Sequence, residues 1–224
     1  RYIVRQPDTQ EFSAEIHGRG YGIEESDGVS YDIDGTINIP LGENFAFRGT
    51  LSYLDQQGFI DQNYLVLQPG TSIPEPDFSN AAEVNANLRQ EKDTNWYKRT
   101  YARASLLWDI NDRLEATFNY YYQNQDVGGR QVNHADSLNV IAQDQGVEIP
   151  RGYTDNGHRV LEPDERTNQI FNLDVIADLG FAELTSATGY IDFEENSQRD
   201  QTDLLLTFGY TYADFPNFTA FTTD

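Results

Sequence analysis

The stretch from Tyr101 to Gln123, YARASLLWDINDRLEATFNYYYQ, alternates apolar and polar residues and keeps one parity across a short turn. After the turn, Leu114, Ala116, Phe118, Tyr120 and Tyr122 fall on one side of an extended chain, and Glu115, Thr117, Asn119, Tyr121 and Gln123 on the other. Before it, Ala102, Ala104, Leu106 and Trp108 oppose Arg99, Tyr101, Arg103 and Ser105. The intervening Asp109-Ile110-Asn111-Asp112 carries the Asn and Asp residues that tight turns favour. The pattern predicts a β-hairpin with one oily and one polar face and aromatics near both ends. Such a hairpin suits lipid on one side and a wet interior on the other.

The same alternation recurs along the chain. Arg1 to Arg5 reads as the end of a strand stopped by Pro7, and Phe12 to Gly22 as a first long strand. A short polar loop, Glu24 to Gly28, leads to a second strand from Tyr31 to Leu41, and the Pro40 to Asn44 turn leads to a third from Phe45 to Tyr53. Gln56 to Asn95 has three prolines and no sustained period, and reads as a long loop with a short helical turn near Asn80 to Leu88. The hairpin supplies strands four and five. Val127 to Glu165 is a second long irregular segment, followed by a sixth strand, Phe171 to Leu179, and a seventh from about Glu183 to Glu195 whose ambiguous parity admits a bulge. Gln198 to Asp224 is polar, then aromatic, and ends without a finished element.

Turns near Gly42, Asn111 and Gly180 are tight, whereas those near Asp27, Gly70, Gln145 and beyond Gln198 are longer. Long loops that recur on one rim are what an outer-membrane barrel shows, and they count against a compact soluble domain. Composition agrees with strands rather than helices as spans. The longest apolar runs are as short as Leu204-Leu205-Leu206, whereas a spanning helix needs about 20 apolar residues. The formal charge of −22 argues against nucleic acid as a partner, because phosphates are bound by clustered Lys and Arg. The chain has no Cys, which leaves its redox compartment open, and no Met. Beginning at Arg-Tyr-Ile-Val, it reads as an internal piece of a longer protein.

Several short motifs, in order, resemble the start of the β-barrel of TonB-dependent outer-membrane receptors, in particular those of sphingomonad-like bacteria. They are Arg1-Tyr2-Ile3-Val4 with Pro7-Asp8 and Glu11-Phe12; Asn38-Ile39-Pro40-Leu41; Arg48-Gly49; Gly58-Phe59-Ile60-Asp61; Leu106-Leu107-Trp108 with Asn111-Asp112; Tyr121-Tyr122-Gln123; Gly128-Gly129-Arg130; and Ser186 to Tyr190. The resemblance implies that residues 1–7 end a plug domain and residues 8–224 begin the barrel. The expected fold class is all-β: an antiparallel up-and-down meander, a partial transmembrane β-barrel of about seven strands with short periplasmic turns and long extracellular loops. A complete barrel of the family has about 22 strands closed around the plug. The energy-coupling box, nearly all of the plug and the carboxy-terminal strands are not in this stretch, whose edge strands would stand unpaired.

Tyr97, Arg99, Tyr101 and Arg103 share the polar face of strand four and, with Tyr121, Gln123 and the loop residue Arg130, are the candidate solute-binding set. The structural alternative, hydrogen bonding to the plug or to neighbouring strands, is the stronger reading of these positions. His17, His134 and His158 are scattered and favour no metal or haem site. Asp32-Ile33-Asp34-Gly35 lacks the downstream ligands of a calcium loop. The neighbouring carboxylates Glu24-Glu25 and Glu194-Glu195 point to opposite faces and form no acid and base pair. Trp96, Trp108, Tyr53 and Tyr122 are girdle candidates. No Ser-His-Asp, Walker or dinucleotide pattern stands out, so neither an enzyme nor a cofactor is expected.

The resemblance thus implies a segment of a Gram-negative outer-membrane receptor that takes up a scarce large solute, by default a ferric siderophore, with energy relayed by TonB. Its partners would be outer-membrane lipid, the plug of the same chain, TonB through the part upstream, and the solute. The acidic loops do not favour an anionic complex, so a saccharide or another organic solute stays open. Two rivals share the strand pattern: a plugless porin, and a soluble carbohydrate-binding β-sandwich that would bury Phe45, Phe47, Leu51, Phe118 and Tyr120 against a second sheet.

Overall fold

The computed structural model describes residues 4–132, 145–148, 152, 154–201, 208 and 221–223. Period-two alternation produces strands wherever it was read. In chain order the elements are β1 (Ser13–Gly22), β2 (Val29–Pro40), β3 (Phe45–Gln56), β4 (Asp61–Val66), α1 (Ala81–Asn87), β5 (Leu88–Glu91), β6 (Tyr97–Asn111), β7 (Leu114–Val127), β8 (Asp155–Asn156), β9 (Asp164–Asp178), β10 (Glu183–Arg199) and β11 (Phe221–Thr223). One sheet runs β1-β2-β3-β6-β7-β9-β10-β11, every pairing antiparallel, so its first seven strands form a meander. The short β11 meets only Ser197 to Arg199 of β10. Among the described residues, β1 therefore has one neighbour, and so does β10 from Glu183 to Asn196.

Tight turns join β2 to β3, β6 to β7 and β9 to β10, all at one rim. At the β9–β10 turn Gly180 adopts φ +81° and donates its N–H to Asp178 Oδ1 at 2.7 Å, a left-handed conformation that favours glycine. The other rim carries the longer connections, and these are built rather than irregular. Within them β4, β5 and β8 make a small sheet of their own, with α1 beside it. Val66, Leu88 and Val160 form its buried core, against which Tyr64, Phe78 and Val84 pack. We call this the cap.

Three sequence expectations are corrected here. Residues 4 and 5 belong to no strand, while residues 1–3 lie outside the described residues. The segment from Gln56 to Asn95 is not a structureless loop: besides the expected helical turn it holds β4 and β5, whose short runs become strands only by pairing with each other. The meander has the seven strands expected, and the three short cap strands and β11 add to them. Finally, β10 pairs with β9 over fifteen consecutive positions without a bulge; the hairpin irregularity lies instead between Asp109 and Asn111.

The register aligns the apolar parity of every strand. Ile39, Phe47, Leu106, Phe118 and Leu173 stand in one row across five strands. Leu106 is 40% exposed and Phe118 45%. Phe45 stacks on Trp108 at 5.5 Å, and Tyr120 lies 4.8 Å from Phe171, so the rings tile the surface instead of filling a core. On the opposite, polar face the burial is reversed. Ser105 and Asn119 are each 1% exposed, and Asn38, Arg103 and Thr117 are also buried. On β2, β6 and β7 the sheet therefore hides polar side chains and shows oily ones, while on β1 and most of β10 both faces are exposed.

Candidate functional site

The polar face is organised in rows set by the strand register. One row joins Thr50, Arg103, Tyr121, Ile170 and Ile191. The next toward the cap joins Ser52, Tyr101, Gln123, Asn168 and Phe193; the one beyond joins Leu54, Arg99, Gln125, Arg166 and Glu195. Tyr97, Arg99, Tyr101 and Arg103 thus form a column on β6, with Tyr121 and Gln123 beside it on β7. All six strand candidates share one wall because they share one parity.

Their roles differ. Arg103 donates from its guanidinium to Asn119 Oδ1 at 3.0 Å and to the carbonyl of Arg5 at 3.1 Å, and its Cζ lies 5.4 Å from the centre of the Tyr121 ring. Ser105 Oγ donates to the same Asn119 oxygen, while Asn119 Nδ2 and Asn172 Nδ2 converge on Asp174 Oδ2. Arg103 is 6% exposed, and its groups serve the wall and the residues that cross it. Tyr97 donates its hydroxyl to Gln125 Oε1 at 3.2 Å. Arg99 makes no hydrogen bond or ion pair among the described residues, and its Nε is sealed from solvent without an acceptor.

Residues 4–11 cross this face without joining a strand and bend at Thr9 and Gln10, where the Gln10 N–H donates to Asp8 Oδ1 at 2.7 Å. Asn38 holds them: its Oδ1 accepts from the N–H of Asp8 at 2.9 Å, and its Nδ2 donates to the carbonyls of Asp8 at 2.9 Å and Glu11 at 2.6 Å. Asn38, Asn119, Asp174 and Gln125 were not singled out from sequence, although each carries the polar parity of its strand.

Arg130 lies elsewhere, in the cap. Its guanidinium grips Glu162 with both forks, at 2.7 and 2.6 Å. His158 Nδ1 stands 3.3 Å from the same carboxylate, and the Asp200 N–H donates to it at 2.8 Å. Asp200 in turn accepts from the backbone N–H groups of Arg159 and Val160. This buried network ties the ends of the long connections together. Nearby, burial pushes the Tyr64 hydroxyl above its ordinary pKa; the Asp155 charge adds to this and Arg159 opposes it.

His17 pairs with Asp34 at 3.1 Å, and His134 lies outside the described residues. Among the described residues no three His, Cys, Asp or Glu side chains are placed to hold a metal. No family model, curated protein or solved structure matches this chain.

Proposed function

We propose that this chain is part of the barrel wall of an outer-membrane transport receptor, its apolar face against lipid and its polar face lining a lumen. The observation that carries the reading is the reversed burial in the middle of the seven-strand meander, on β2, β6 and β7. An apolar face this wide and this exposed costs free energy in water and none against hydrocarbon. Tight turns on one rim and a built cap on the other agree with periplasmic and extracellular sides. Residues 4–11, pinned across the polar face, agree with a chain arriving from a plug upstream and disfavour a plugless porin. A carbohydrate-binding sandwich would need a second sheet over Phe45, Leu51 and Phe118, all of which are exposed among the described residues.

In this reading the cap meets the solute first, the polar column guides it, and energy from TonB acts through the upstream segment; no bond is made or broken. The cargo is a scarce organic solute, a ferric siderophore being the default.

The absence of Cys from this stretch allows a direct test. Single cysteines replacing Leu106 or Phe118 in the full-length protein, spin-labelled in lipid vesicles, should be relaxed by dissolved oxygen and protected from a water-soluble nickel chelate. Cysteine at Gln123 should show the opposite. Equal accessibility of all three to the chelate would overturn the assignment.

A further inference from the structure

Arg99 is the one arginine of the upper polar wall left without an acceptor among the described residues. On the same face Arg19 pairs with Asp32 at 3.1 Å, and Arg166 pairs with Asp164 at 2.7 Å and Glu195 at 3.0 Å. Arg199 lies 3.6 Å from Asp164, and Arg103 is held by Asn119 and the Arg5 carbonyl. Arg48 also lacks an ion pair, but the register places it beside Asn38 and Ser105, in the row that residues 8–11 cross. In a chain with 37 acidic and 15 basic residues, a half-buried guanidinium with no carboxylate partner is unexpected. The Arg99 Nε is sealed from solvent, as are those of Arg103 and Arg166, but its terminal nitrogens are neither sealed nor paired among the described residues, and a carboxylate can accept from both of them with its two oxygens.

The position says where that carboxylate comes from. Arg5 and Asp8 meet the wall at Arg103 and Asn38, rows farther from the cap than Arg99. The Arg99 row therefore lies between the crossing segment and the cap, on the side from which a solute would enter. Tyr97 and Tyr101 flank Arg99 along β6, and Gln125 and Gln123 stand beside them on β7. These rings and amides offer flat faces and neutral hydrogen-bonding groups around one charge.

The geometry points to a solute that carries a carboxylate on a ring-bearing or hydroxylated body, the carboxylate received by Arg99. This inference rests on the polar face being a lumen wall. It also refines the cargo, since the acidic surroundings that discourage anions elsewhere are interrupted at this column.

The test is an NMR titration of the full-length protein in detergent micelles with glucuronate and 2,3-dihydroxybenzoate, each against its neutral counterpart, glucose and catechol. At least one carboxylate should bind more tightly than its counterpart and weaken as salt is raised. Whichever acid it is identifies the body of the solute. Arg99→Gln should weaken that binding about tenfold, and Arg99→Lys, which keeps the charge without the fork, by less. Acids that bind no better than their neutral counterparts would overturn the proposal, as would unchanged affinity in Arg99→Gln. A variant that loses thermal stability while binding the acid normally would show that Arg99 serves the fold, which also overturns it. Spin-label accessibility measured on the same preparations separates the two readings: with the lipid-facing pattern intact and Arg99→Gln silent, only the carboxylate site falls.

Discussion

Asn38 exchanges a pair of hydrogen bonds with Asp8 as an opposing strand residue would, and adds a third to the carbonyl of Glu11. A side-chain amide serves here because it offers donor and acceptor in one plane, so it can grip a backbone that arrives without a strand of its own. It is 1% exposed, so water does not replace these bonds if the side chain is lost. Asn38→Leu should cost about 1–3 kcal/mol, the usual penalty for stranding buried polar groups. Hydrogen exchange at the Asp8 amide should accelerate while the amides of β6 and β7 stay protected. Unchanged protection at Asp8 would mean that something other than Asn38 holds the segment.

At the scale of elements, α1 has only seven residues, too few to persist alone, and depends on its start and on the cap core. Asn80 Oδ1 caps it by accepting from the N–H groups of Ala82 and Glu83 at 3.2 and 3.4 Å. Just before it, Asp77 accepts from the hydroxyl and the N–H of Ser79, which hold its carboxyl below the ordinary range. A pKa lowered in the folded state means stabilisation that is complete above the ordinary value and lost as pH falls through the lowered one. The Ser79 amide should therefore lose hydrogen-exchange protection in that acidic window, and Asp77→Asn should remove this pH dependence. A wild-type response that persists in Asp77→Asn would assign it to another carboxylate. The helical turn near Asn80 is legible in the sequence because capping is local. β4, β5 and β8 are silent there, since their core joins Val66, Leu88 and Val160, residues far apart in the chain, and no short window holds a period. Parity likewise placed Tyr97, Arg99, Tyr101, Arg103, Tyr121 and Gln123 on one wall, but only register reveals which of them already has a partner. β10 looked irregular because Ile191 and Phe193 put apolar groups on its polar parity next to Tyr190; the pairing itself is regular. Arg130, suggested by motif resemblance, serves a buried carboxylate that nothing nearby in sequence identifies.

For the whole molecule, the decisive quantity is how the cost of a charge on the apolar face varies with height. The stacked Phe45 and Trp108 mark one end of that face, and the Tyr31 and Tyr53 rings, 5.9 Å apart, mark the other. Phe45 and Tyr53 are about 27 Å apart along β3 at the usual strand rise. With a barrel-like tilt of about 40° the height is about 21 Å, close to the apolar band of an outer-membrane barrel. In register terms Ala104, paired with Gly49, sits midway, and Thr100, paired with Tyr53, sits at the cap-side end of the same strand and face. Ala104→Arg should therefore cost about 2–4 kcal/mol of folding into lipid, and Thr100→Arg about 0–1 kcal/mol. Urea titrations of the full-length protein refolded into vesicles would measure both. In water, charges at these two sites would be solvated alike and height would not matter. Equal costs would remove lipid from beside this face, and with it the proposal that the polar face lines a lumen.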